Sequence, residues 1–175
     1  MLSSSQTIEV YPPKGFRPCG RITRAAFTCQ PSFVREGYHP RGAKGKGLRY
    51  QSQIVKMLNE TFLEGIEGPW FLFNNTYNEE RFTQPDWLTF DFRTGIIYLV
   101  EIKLSRVEQA WWQLNKLYQP VLKAIFPQWD IAMVEIASNM YHIQVPGDVK
   151  YITRIQDAVP GKTSFMQVGY NAKPS

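Results

Sequence analysis

Apolar and polar positions alternate most clearly between Pro85 and Lys103. Residues 86–92 and 96–103 read as strands rich in aromatic and β-branched side chains, separated by the turn signal Arg93-Thr94-Gly95. A two-residue Thr94-Gly95 loop sets Arg93 opposite Ile96 and Asp86 opposite Lys103, with Glu101 diagonally across on the same face. Toward the turn that face carries Leu88, Phe90, Phe92, Ile97 and Leu99, so the three polar groups sit at the rim of an apolar surface. Asp91 falls on the opposite face. A one-residue slip would move Asp86 there too.

The same pattern marks the other elements. Gln51, Val55, Leu58 and Phe62, with Ile54 beside them, form one inward stripe on a helix over 47–63. Residues 69–74 read as a short buried strand, followed by a polar loop holding Glu79 and Glu80. Ser105-Arg106-Val107-Glu108 is a capping box. After it Val107, Trp111, Leu114, Tyr118, Val121 and Ile125 trace a long amphipathic helix, flanked by Gln109 and Gln113, with a break predicted near Gln119 because Pro120 lacks an N–H. Residues 131–137 then form a strand parallel to 96–103, reached by this helical crossover. Beyond 138 three short strand candidates (141–145, 151–155 and 165–168) suggest a small β appendage; His142 within it reads as structural. Residues 1–46 read as irregular.

A chain of 175 residues with 43% hydrophobic content suits one domain. The formal net charge of +5 is concentrated. Between Lys14 and Arg49 nine Lys and Arg face one acid, Glu36, leaving the remainder slightly acidic. Aromatic residues Phe16, Phe27, Phe33 and Tyr38 are interleaved, the composition of a surface that grips phosphates and stacks on bases; the competing reading is a solvated arm with its aromatics in the core. Cys19, Cys29 and His39 lack a CxxC pair and make a poor zinc set. Two cysteines, no secretory leader and no transmembrane-length apolar run predict a soluble cytoplasmic protein without a membrane partner.

Two carboxylates at one rim repel each other, and Lys103 alone does not neutralise them; a divalent cation would. Pro85-Asp86, fourteen intervening residues, then Glu101-Ile102-Lys103 closing an apolar strand resembles the signature of the PD-(D/E)xK nuclease superfamily. The resemblance implies an α/β fold with an αβββαβ restriction-endonuclease-like core and mixed central sheet over 47–137; charge and residue pattern add a basic N-terminal arm over 1–46 and the β appendage over 138–175. It implies Mg²⁺ or Mn²⁺ on Asp86, Glu101 and the Ile102 carbonyl, with Lys103 orienting the attacking water or stabilising developing charge.

Many members carry a glutamate on the first helix where this chain has Gln51, and Glu79 or Glu80 are candidate replacements. Related nucleases often place a glutamine on the second helix, here Gln113, although Gln113 and Tyr118 stand one residue too far apart for the strict Gln-x-x-x-Tyr variant. The implied activity is metal-dependent phosphodiester hydrolysis in DNA, with Arg35, Arg41, Lys44, Lys46 and Arg49 on the backbone. Relatives include phage and mobile-element enzymes, many acting as homodimers or in larger nucleoprotein complexes; a phage-encoded member would work in the host cytoplasm. The rival is a catalytically weak or inactive nuclease-fold DNA-binding or scaffold protein. A third reading is an RNA-binding or virion-associated module.

Overall fold

The computed structural model describes residues 11–34, 42–62, 64–105 and 107–171. Strand β1 (Ile22–Thr28) precedes helix α1 (Gly42–Thr61), and β2 (Gly65–Glu67), β3 (Trp70–Asn75), β4 (Glu80–Thr83), β5 (Trp87–Asp91) and β6 (Ile96–Lys103) follow. Helices α2 (Val107–Gln113) and α3 (Gln119–Ile125) are joined by a π-helical turn, Leu114–Tyr118. They lead to β7 (Asp130–Ala137), β8 (Lys150–Tyr151) and β9 (Ser164–Gly169). The fold is mixed α/β. A six-stranded sheet runs β2-β5-β6-β7-β9-β8, and a three-stranded antiparallel sheet runs β1-β3-β4. In the large sheet β2, β5 and β6 pair antiparallel, whereas β6, β7, β9 and β8 pair parallel.

Central strand β6 is apolar on both faces because both are covered. On one side Tyr50, Ile54, Val55 and Leu58 of α1 pack on Trp87, Val100, Ile102, Val134 and Ile136. On the other, Trp111, Leu114, Tyr118, Val121 and Leu122 meet Leu88, Ile97, Leu99, Met133 and Phe165, together with Phe71 and Phe73 from the small sheet. Trp87 anchors the first layer: its indole N–H donates to Asn59 Oδ1 at 2.9 Å, and Gly65 lies so close beneath that a Cβ there would collide with the ring.

Several expectations change. The hairpin loop has four residues, 92–95, and the pairing runs from Trp87 with Val100 to Asp91 with Ile96, two residues away from the two-residue-loop register. Asp91 sets this turn: its Oδ1 accepts from the N–H groups of Arg93 (3.0 Å) and Thr94 (3.3 Å), while Gly95 N–H closes onto the Asp91 carbonyl at 2.9 Å, with Gly95 at φ +71°. Two residues is one full pleat period, so the faces are unchanged. Phe92, expected inward, sits in the turn and is exposed. Phe62, expected on the inward stripe of the first helix, lies past the end of α1 and is also exposed. Ile22–Thr28 is a strand where irregular chain was expected. Strand β3 pairs with β1 and β4 in the second sheet, while β2 takes the place beside β5. The C-terminal strands form no separate appendage, because β9 pairs directly with β7 and β8 with β9.

The break predicted at Gln119 takes the form of the π turn. Gln119 N–H bonds the Leu114 carbonyl five residues back, and the Lys116 carbonyl, which Pro120 cannot satisfy, accepts from Cys19 N–H at 3.0 Å. Cys19 and Cys29 flank β1, a seven-residue strand roughly 23 Å long, so they cannot share a metal; His39 lies outside the described residues. Among the described residues no helix is long and apolar enough to cross a membrane.

Candidate active site

The actual register makes Asp86 the next position after the Trp87–Val100 pair, and therefore the cross-strand neighbour of Glu101. The carboxylates are adjacent, not diagonal, and Lys103 is the diagonal group. Ile102 N–H donates to Asp86 Oδ2 at 2.7 Å, which fixes the aspartate at the mouth of the hairpin. Glu101 is only 2% exposed. Its Oε1 accepts from Lys103 Nζ at 2.8 Å, and its Oε2 is buried with no hydrogen-bond donor among the described residues.

Burial, and then the neighbouring Asp86 charge, push the Glu101 carboxyl up to about 8. Burial also raises Asp86, against the opposing pull of the Ile102 N–H and the Lys103 ammonium. Two acids so placed favour a shared proton or a bound cation. Tyr118 lies beside them from the helical layer, buried and close to Thr83, with its hydroxyl raised well above the usual range by burial and by the Glu101 and Asp86 charges.

Strand pairing extends the row. Glu135 on β7 stands opposite Glu101, and Gln167 on β9 stands opposite Glu135, all on the face covered by α2 and α3. Glu135 is fully buried. Its Oε1 accepts from Gln167 Nε2 at 3.4 Å, Oε2 has no partner among the described residues, and burial pushes its carboxyl up to about 8. Gln167 is itself pinned, donating to the Tyr141 carbonyl (3.0 Å) and accepting from Ile143 N–H (3.3 Å) and Tyr151 OH (3.2 Å). Sequence reasoning missed Glu135. The available signal was one charged residue inside an otherwise apolar strand that parallel pairing would bury on both faces.

Gln51 occupies the junction of two depressions. A pocket of about 370 Å³ is lined by Gln51, Glu67, Gly68, Gln84, Pro85 and Asp86. A groove of about 660 Å³ between α1 and the β6–α2 junction includes Lys44, Lys46, Gln51, Lys103, Ser105 and Gln109. Thus Lys44 and Lys46 share a groove with Lys103; Arg49 is exposed and lies outside that lining, and Arg35 and Arg41 fall outside the described residues. Gln113 lines neither depression, but its Oε1 is buried and has no partner among the described residues. The π turn inserts one residue between Gln113 and Tyr118, so positions five apart share a helix side as positions four apart do in an α-helix. Glu79 is no replacement acid: it pairs with Arg17 at 3.1 Å and with Asn75 in the β3–β4 loop. His142 is exposed and contacts Tyr151 OH at 3.2 Å through Nδ1.

The donor set fits a hard divalent cation. It offers the orphaned Glu101 oxygen, the neighbouring Asp86 carboxylate and the Gln51 amide, all oxygen ligands. Among the described residues no group of three His, Cys, Asp or Glu side chains is arranged to hold a metal ion, so water would complete the shell. Comparison of the chain with protein-family models, with curated proteins and with solved structures finds no match.

Proposed function

We propose that the protein is a divalent-metal-dependent DNA nuclease of the PD-(D/E)xK type, with Asp86, Glu101 and Lys103 at its centre. One observation carries the reading: Asp86 and Glu101 stand side by side on paired strands, with one buried Glu101 oxygen that has no donor among the described residues and Lys103 bonded to the other. A bound Mg²⁺ or Mn²⁺ supplies Lewis acidity toward phosphate and water. Glu101 and Asp86 hold that ion, with the Ile102 carbonyl as a further oxygen. Lys103, its ammonium kept beside a carboxylate, offsets negative charge on the phosphate undergoing attack. Lys44 and Lys46 in the shared groove carry adjoining phosphates, giving affinity that weakens with salt. The π turn supports the same family, since it returns Gln113 and Tyr118 to a common side despite their longer spacing. The mixed α/β sheet, with β5 and β6 antiparallel and a helical crossover from β6 to parallel β7, is compatible with this reading.

A plasmid-relaxation assay in Mg²⁺ or Mn²⁺ tests this. Wild type is expected to nick or linearise, and Asp86→Ala and Lys103→Ala to lose at least a hundredfold, given how much a single positioned electrostatic group contributes. Equal cutting by wild type and both variants would remove the assignment. Gln51, where an acid is expected, favours the rival reading of a DNA-binding scaffold without cleavage. DNA binding with no cutting in any divalent ion would select it.

A further inference from the structure

The pocket beside Asp86 contains an acid that the linear motif does not include. Glu67 closes β2 opposite Trp87, and its neighbour Gly68 donates its N–H to the Asp86 carbonyl at 2.9 Å. Gln84 Nε2 bonds the Gly68 carbonyl at 2.8 Å, leaving the Gln84 amide oxygen as an acceptor, and Gly68 takes φ +52° at this turn. The Glu67–Gly68 backbone is therefore tied twice to the Gln84–Asp86 wall of the pocket, across from Gln51. Among the described residues the lining has two carboxylates, two amides and no Lys or Arg, whereas the groove on the other side of Gln51 has three lysines. Independently of this acidic lining, Glu101, almost completely buried next to Asp86, keeps an oxygen without a hydrogen-bond donor among the described residues. Among the described residues no three acids are close enough to share a bare ion. The pocket's 370 Å³ equals the volume of about a dozen waters, and Mg²⁺ characteristically retains several of its waters while using one or two carboxylates.

We propose that Glu67, with the amide oxygens of Gln51 and Gln84, binds the water shell of a divalent cation seated on Asp86 and Glu101, and so replaces the negative charge that α1 lacks at Gln51. This rests on the nuclease reading for the cation itself. Direct titration of the purified chain with Mn²⁺, followed by calorimetry, separates the two. Wild type is expected to bind one Mn²⁺, and Glu67→Gln to weaken it about tenfold, the size typical of an outer-shell partner. Glu80, the other replacement acid expected from the sequence, is exposed on β4 and lines neither depression, so Glu80→Gln is expected to leave affinity unchanged. Gln51→Glu is expected to strengthen binding and to restore most of the loss in the Glu67→Gln background. Glu67→Gln binding like wild type, or weakening no more than Glu80→Gln, overturns the role of Glu67 while the cation site stands. No Mn²⁺ binding by wild type overturns the cation site and this inference together. Because Glu67 is exposed at a sheet edge, melting in EDTA is expected to be unchanged, so lost affinity is not lost folding.

Discussion

Glu135→Gln tests the electrostatics of the buried row without involving catalysis. Glu135 is fully buried, and desolvation raises its carboxyl from 4.5 to about 8. The folded protein therefore keeps a proton on Glu135 that the unfolded chain releases above pH 4.5. Native protonation exceeds unfolded protonation across that window, so the stabilising contribution is complete below about pH 4.5 and is lost as pH rises through 8. At 1.36 kcal/mol per unit the full loss is about 5 kcal/mol, a large share of a typical domain's stability. Glutamine keeps the shape and the oxygen that Gln167 donates to, but cannot ionise. Urea unfolding by tryptophan fluorescence in EDTA, from pH 5 to 9, is expected to show the variant gaining on wild type by about 1.4 kcal/mol per pH unit up to pH 8, then holding level. Both proteins keep the slope due to Glu101. A pH-independent difference would mean that Glu135 is ionised and paired in the fold, and the desolvation argument would be wrong.

Reversing Lys44 and Lys46 to Glu is expected to weaken duplex binding and lower the slope of log K against log salt by about two, measured by fluorescence anisotropy, since each neutralised phosphate contributes about 0.9; an unchanged slope would remove the groove from the DNA path. Gly65→Ala forces a Cβ into the Trp87 ring and is expected to cost about 1–3 kcal/mol or more in denaturant unfolding. Asp91→Ala removes the acceptor for two turn N–H groups, a loss of about 1 kcal/mol by the same assay.

Local pattern made much of the centre legible. Alternation over 86–92 and 96–103 identified the hairpin and the shared face of Asp86, Glu101 and Lys103, and that face assignment survives a register error of two residues because the pleat repeats every two. The inward stripe of α1 was right at Ile54, Val55 and Leu58 and ended too late at Phe62. The start of α1 was missed because Gly42, Gly45 and Gly47 are poor helix formers; burial of Gly45 and packing of the following turns outweigh that preference. Strand β1 was missed because Thr23, Arg24, Ala25 and Ala26 show no strict alternation, and it is held by pairing with β3.

By itself the sequence determined which residues share a side of each element, since that follows from periods of two and 3.6 within a short window. Only the tertiary structure decided that Asp86 meets Glu101 directly, that Glu135 extends the row, that Glu67 reaches the same pocket, and that a π turn brings Gln113 and Tyr118 into phase. Those facts depend on strand pairing and helix docking between segments far apart in the chain, and no local periodicity encodes them.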